Sequence, residues 1–246
     1  MEYAIETIHL EKVFKKENTP AVKDLNLKIK EGELYGLLGV NGAGKSTTIK
    51  MLSCLIKPTS GDALIEGHSI LKESDAIKSI SDTSPQESAV AANLTVKENL
   101  LLMSSIYGKK KEDAKIKIAS IISSMGLEEV ASKKAGKLSG GFQRRLSIAM
   151  ALTSDPKILY LDEPTLGLDV LARRELWKII LSLKCKKSII LTSHYLEEVE
   201  ALADRVGIIS KGVLLEEGTI PEILKKNDSK NLEEAFIKAV GQGDLL

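Results

Sequence analysis

The sequence predicts an α/β fold: a core built on a mostly parallel sheet, an N-terminal antiparallel β subdomain and an inserted α-helical subdomain. Three observations predict it. Short apolar runs alternate with helical stretches after Pro156, the pattern of parallel strands joined by crossover helices. Residues 1–35 show period-two alternation broken by turn residues. Residues 87–155 read as helical throughout. The expected organisation is one domain over residues 1–230, its helical subdomain at about 87–155, followed by a short helical tail at 231–246.

In chain order, Leu25, Leu27 and Ile29 alternate with Asn26, Lys28 and Lys30, and Glu31-Gly32 makes a turn. Leu34 to Leu38 is a compact apolar strand running into a glycine-rich turn, and Ser46 to Cys54 reads as a helix ended by Lys57-Pro58-Thr59-Ser60-Gly61. A short strand, Ala63 to Ile65, meets a turn at Gly67. Thr95-Val96-Lys97-Glu98 is a capping box opening a helix to about Ile106. Ile118, Ile121, Ile122 and Met125 mark one face of the next helix, and Gly141 to Thr153 forms a third, stopped at Asp155-Pro156. Then follow a strand from Ile158 to Leu161, a helix near Leu171 to Leu183, a strand from Ser188 to Thr192, a helix near Leu196 to Ala203 and a strand from Val206 to Ser210. Lys211-Gly212 turns the chain into Val213 to Glu217 as a hairpin, and the tail carries one more amphipathic helix.

Composition narrows the classes. Hydrophobic residues make up 43% and charged residues 28% of the 246, a globular balance with material for a sizeable core. The net charge of +1 supplies no field for nucleic acid or anionic lipid. Cys54 and Cys185 lie in no metal-ligand or CxxC spacing and read as ordinary buried thiols of a reducing compartment. The N-terminus lacks the basic start and apolar run of a signal peptide, and no stretch approaches the roughly 20 apolar residues of a spanning helix. Work on a membrane therefore calls for a separate spanning partner.

Gly39-Val40-Asn41-Gly42-Ala43-Gly44-Lys45-Ser46 matches G-x-x-x-x-G-K-[ST] between an apolar strand and a helix, the context of a phosphate-binding P-loop. Its glycines let the backbone fold around phosphates. The amides of Gly42 to Thr47 point inward at a helix N-terminus, where the dipole favours anions. Lys45, expected to be solvated without ligand, would reach the β- and γ-phosphates, and Ser46 would ligate Mg²⁺. Ile158-Leu159-Tyr160-Leu161-Asp162-Glu163 is an apolar strand ending in two carboxylates: Asp162 for Mg²⁺ or its water shell, Glu163 to poise the attacking water. Together these residues define a P-loop ATPase or GTPase.

Leu138-Ser139-Gly140-Gly141-Phe142-Gln143-Arg144-Arg145 narrows the reading, because it resembles the LSGGQ signature of the ATP-binding cassette family. The resemblance extends over nearly the whole chain. Gln86, in Ser84-Pro85-Gln86, matches the Q-loop; Asp169, in Leu166-Gly167-Leu168-Asp169, the D-loop; His194, after Leu191-Thr192-Ser193, the switch histidine; and Phe14, with Tyr3 and Tyr35 as rival aromatics, the ring that stacks on adenine. Phe142 departs from the family's usual Gln, and Gly167 from its Ser or Ala. The resemblance implies a head-to-tail dimer with each ATP held between one P-loop and the partner's Ser139, Gly140 and Gly141. It further implies Glu163, His194 and Lys45 as catalytic residues, Ser46, Asp162 and Gln86 around Mg²⁺, and a cytoplasmic subunit peripheral on the inner face of the cell membrane.

Glu197 to Val206 and Leu232 to Phe236 are similar to the drug-, antibiotic- and ion-exporting branch, in which the ATPase and the membrane subunit are separate chains. The other reading is a soluble cassette ATPase serving assembly, as in iron–sulfur cluster biogenesis. A cassette acting on DNA or ribosomes is disfavoured by the lack of sustained heptads, the single P-loop and the near-neutral charge.

Overall fold

The computed structural model describes residues 3–15, 19–108 and 111–241. The chain begins with a ten-residue strand, β1 (Tyr3–Lys12), followed by β2 (Val22–Leu25) and β3 (Lys28–Lys30). Next come β4 (Leu34–Leu38), α1 (Lys45–Leu52), β5 (Ser60–Ile65) and β6 (His68–Ser69). The middle holds α2 (Ser74–Ile80), β7 (Ser81–Ser84), α3 (Val96–Ile106), α4 (Lys111–Ser124) and α5 (Gly140–Ala151). The chain continues through β8 (Ile158–Asp162), α6 (Val170–Leu183), β9 (Ser188–Ser193), α7 (Leu196–Leu202) and β10 (Arg205–Ser210). It closes with β11 (Val213–Gly218), α8 (Ile220–Lys226) and α9 (Leu232–Val240).

The central sheet runs β11-β10-β4-β9-β8-β7. β10, β4, β9, β8 and β7 are mutually parallel, and β11 adds antiparallel at one edge as a hairpin with β10. Strand alternation divides its side chains between two cores. Leu159, Leu161, Ile189 and Leu191 face a cluster with Leu146, Leu176, Ile180 and the helical lobe. Ile158, Tyr160 and Ile190 face Ile49, Met51, Leu52 and the antiparallel sheet of β1, β2, β3, β5 and β6. In the helical lobe, Ile118, Ile121, Ile122 and Met125 are all buried, as their spacing predicts.

Caps delimit the helices where the sequence places polar residues. The Glu98 amide donates to Thr95 Oγ1 at 3.2 Å and the Thr95 amide to Glu98 Oε2 at 2.7 Å, the expected capping box. Thr219 and Glu222 repeat the device on α8, which the sequence reading passes over because seven residues make too few turns to show a periodicity. β1 is longer than a run of short strands, since pairing with β2, β3 and β5 overrides its weak alternation. The thiol expectation is corrected: Cys185 is exposed and Cys54 only half-buried, both in left-handed turns at element ends rather than in a core. The helical tail seats Leu232 and Ala235 against Leu38, Val199 and Ile208, so α9 covers part of the central sheet.

Candidate nucleotide site

β4 delivers Gly39 to the C-terminal edge of the parallel sheet, where loops between strands and helices gather. The loop then wraps into α1. Two glycines are dictated by space: a Cβ on Gly39 would fall 2.4 Å from the Ile209 carbonyl, and one on Gly44, at φ 105°, 2.4 Å from that of Ala21. Gly42 differs, because its φ of 81° demands glycine while nothing lies within 4 Å of a built Cβ. Its backbone is open on the cavity side. That cavity, about 350 Å³, is lined by Asn41 to Thr47 together with Ala21, Gln86, Glu163, Leu166 and His194.

Lys45 is not solvated as expected. It is 4% exposed, its ammonium donating to the carbonyls of Gly39 at 2.8 Å and Val40 at 3.2 Å and lying 3.4 Å from Glu163 Oε1. Burial lowers its pKa, while Glu163 and Asp162 oppose that shift. The loop carbonyls and the Glu163 carboxylate thus hold the lysine between them, an arrangement invisible to a reading of the motif alone.

Asp162 ends β8 and is 6% exposed. Its Oδ1 accepts from Thr192 Oγ1 at 2.6 Å and from Ser46 Oγ at 3.0 Å. A carboxylate and a hydroxyl joined across 116 residues of sequence, with Gln86 lining the same cavity as Ser46, form a set of hard-oxygen residues suited to Mg²⁺, which binds few protein ligands and keeps waters.

Glu163 follows in the left-handed region, at φ 46°. A non-glycine residue held there is strained, and such strain persists where the surroundings fix it. Its amide donates to Thr192 Oγ1 at 3.0 Å and to the Thr192 carbonyl at 3.2 Å, which turns its side chain off the strand toward the P-loop. His194 Nδ1 lies 3.1 Å from Glu163 Oε2 without a hydrogen-bond alignment, and the ring packs on Tyr195 at 4.1 Å. Lys45, Ser46, Asp162, Glu163, His194 and Gln86 therefore converge at one edge of the sheet.

The remaining predicted residues lie elsewhere. Ser139 occupies the N-cap position of α5 but makes no capping bond, leaving an exposed hydroxyl beside Gly140 and Gly141 that does not line this cavity. Phe142 is half-buried with the Arg145 guanidinium 5.2 Å from its ring, so the aromatic in place of Gln packs rather than points at the cavity. Asp169 caps α6, accepting from the Leu171 and Ala172 amides at 2.9 Å. Phe14 is 37% exposed, near Lys12, and outside the lining. It sits two residues beyond Lys12, whose carbonyl accepts from the amide of lining residue Ala21 at 2.8 Å. Sequence reasoning missed Thr192, which ties Asp162 to Glu163, and Arg144, whose buried guanidinium meets backbone carbonyls around both carboxylates. A threonine two residues before His194 on a strand paired with β8 was the available signal for the first.

A P-loop between strand and helix, with a carboxylate pair at the end of a neighbouring parallel strand, defines a nucleotide-binding ATPase of the P-loop class. The ABC transporter family model matches residues 22–166, and the chain belongs to that family. It is 39% identical over 221 residues to the daunorubicin/doxorubicin resistance ATP-binding protein DrrA of Streptomyces peucetius, covering 89% of this chain and 66% of that one. It is 40% identical over 211 residues to ABC transporter A family member 1 of Dictyostelium discoideum, covering 86% of this chain but 24% of that protein, so the chain spans about a quarter of that relative. In fold it matches the dimeric post-hydrolysis structure of the ATP-binding cassette MJ0796 bound to ADP and Pi, with a TM-score of 0.78, 26% identity and coverage of 87% of this chain and 98% of that one.

Proposed function

We propose that the chain is the ATP-hydrolysing nucleotide-binding subunit of a membrane transporter, an exporter, working through ATP-dependent dimerisation with a second cassette subunit. One observation carries the reading: the P-loop, Gln86, Glu163 and His194 line one cavity, with Asp162 held behind it through Ser46, while the Ser139 hydroxyl with Gly140 and Gly141 is exposed elsewhere. A half-site of each kind is complemented by a second copy related by a two-fold axis. The dimeric cassette similar in fold, bound to ADP and Pi, and the drug-resistance relative support the same reading.

In this mechanism the P-loop amides and the Lys45 ammonium bind the phosphates, the ammonium moving from the Glu163 carboxylate to the γ-phosphate. Ser46, Asp162 and Gln86 would hold Mg²⁺, which neutralises phosphate charge when bound. Glu163, released from Lys45, poises water for attack on the γ-phosphorus and accepts its proton. His194 contacts the γ-phosphate beside it, Phe14 stacks on the adenine, and Ser139, Gly140 and Gly141 of the second copy close over the nucleotide. Contacts to the γ-phosphate hold the dimer closed, and hydrolysis removes them. Asp169 lies at the dimer face. Among the described residues no helix is long and apolar enough to cross a membrane. In this reading the membrane-spanning part is a separate multi-span subunit, with this chain peripheral on its cytoplasmic side. Detergent extraction followed by affinity purification tests this reading: a hydrophobic multi-span protein should co-purify, and recovery of soluble assembly factors alone would refute the transport role.

A further inference from the structure

Arg144 has no role in the mechanism above, yet it is 4% exposed in the second turn of α5. Its hydrogen bonds all run to main-chain carbonyls. Nε donates to Pro164 O at 2.8 Å and an Nη to Asp162 O at 2.8 Å. The other Nη donates to Pro85 O and, at 3.4 Å, to Gln86 O. Asp162 and Pro164 are the two neighbours of Glu163, so one planar group grips the chain immediately before and immediately after the residue at φ 46°. A guanidinium offers five donors in a fixed fork, a geometry that lysine's ammonium cannot reproduce. Burial pushes its pKa down to about 10, with Asp162 and Glu198 pulling it back, so it remains a cation at neutral pH.

We infer that Arg144 is the positioning residue for Glu163: its fork, anchored in the signature helix, fixes the left-handed backbone that aims the carboxylate and ties it to the Q-loop carbonyls. This rests on the reading of Glu163 as the water-poising group. The strained φ needs external restraint, and the Thr192 contacts restrain only the Glu163 amide side. The Leu166 amide donates to the Glu163 carbonyl at 3.2 Å, and Arg144 holds the flanking peptides on both sides, at Asp162 O and Pro164 O, and joins them to Pro85 and Gln86, so displacement of α5 and displacement of Glu163 are coupled. The contact set is specific in place: every bond goes to a carbonyl of the two segments that carry Gln86 and Glu163.

The test is a double-mutant cycle on single-turnover ATP hydrolysis with Arg144→Lys, Glu163→Gln and their combination. ATP dissociation constants and melting temperatures are measured alongside, and rates are taken well below each melting point. Arg144→Lys should slow the chemical step by about 10²-fold, the scale of an ångström misplacement, while the ATP dissociation constant moves less than about threefold. In the Glu163→Gln background the same substitution should cost nothing further, because a positioning residue has no effect once its client is gone. Arg144→Gln, a neutral replacement with a shorter reach, should behave likewise and guards against failure of the lysine variant to fold. Full single-turnover rates in folded Arg144→Lys or Arg144→Gln, or losses that add to that of Glu163→Gln, overturn the inference. Wild-type hydrolysis by Glu163→Gln itself would instead refute the role assigned to Glu163.

Discussion

Glu163→Gln separates the ion pair that Glu163 makes from the water-poising role proposed for it. In the free chain Glu163 is the counter-charge of Lys45, at 3.4 Å, with both side chains under a tenth exposed. Two unit charges at that distance attract by about 5 kcal/mol at an effective dielectric near 20. Breaking a buried pair typically costs about 3–5 kcal/mol, and Lys45 keeps the Gly39 and Val40 carbonyls, which places the loss near about 3 kcal/mol. For a domain of this size that lowers the melting temperature by about 6–12 °C. The same energy is no longer spent in parting Lys45 from Glu163 when phosphates arrive. ATP should therefore bind more tightly, up to about 10²-fold, while hydrolysis falls by about 10²–10⁴-fold with the base removed. Thermal melts with and without ATP, equilibrium ATP binding and a phosphate-release assay check the three quantities. Size exclusion should show a dimer that forms with ATP and not with ADP. Wild-type turnover would remove Glu163 from the chemistry. Lost turnover with unchanged ATP affinity would show that Glu163 and the phosphates do not compete for Lys45.

Other perturbations address the remaining site. Ser139→Arg should leave ATP binding by the monomer intact and block turnover; mixed with Lys45→Ala, which should lose ATP binding, it restores at most one competent site per mixed dimer, and full hydrolysis by Ser139→Arg alone would refute the shared site. Phe14→Ala should weaken ATP binding by about 1–3 kcal/mol, with Phe14→Trp close to wild type in equilibrium titration. Tyr107 donates to Asp82, which also accepts from Ser154 at 3.0 Å at the junction of helical lobe and core. Burial raises the Asp82 pKa, so its ionised form needs these donors most. Tyr107→Phe should destabilise by about 1–3 kcal/mol at pH 7, and the difference from wild type in denaturant titration should shrink as pH falls through that raised pKa and the carboxyl protonates.

Much of the fold was legible because its signals are local. The apolar run Leu34 to Leu38, the Thr95–Glu98 capping box and the alternation of strand and helix after Pro156 each state their structure within a few residues. What escaped depends on distant partners. β7 (Ser81–Ser84) is polar in sequence and becomes a strand because β8 lies beside it in parallel register. α2 is a single short helix whose one buried residue, Ile77, gives no periodicity to read.

The same division runs through the site. Glycines and lysine of the P-loop, and the Asp162-Glu163 pair, announce themselves because phosphate chemistry demands those residue types at fixed spacing. The state of those groups did not follow from the motif. That Lys45 is buried against Glu163 depends on β8 emerging two strands from β4, with β9 between them. Thr192 acts on Asp162 and Glu163 only because β9 is parallel to β8, which sets Thr192 opposite Asp162. Arg144 is further from legibility, since every acceptor it uses is a carbonyl, a group each residue possesses and no sequence pattern marks. Motifs report which atoms meet the ligand. The restraints that aim those atoms are made by backbone groups and neighbouring strands, and they come into view when register and strand order are known.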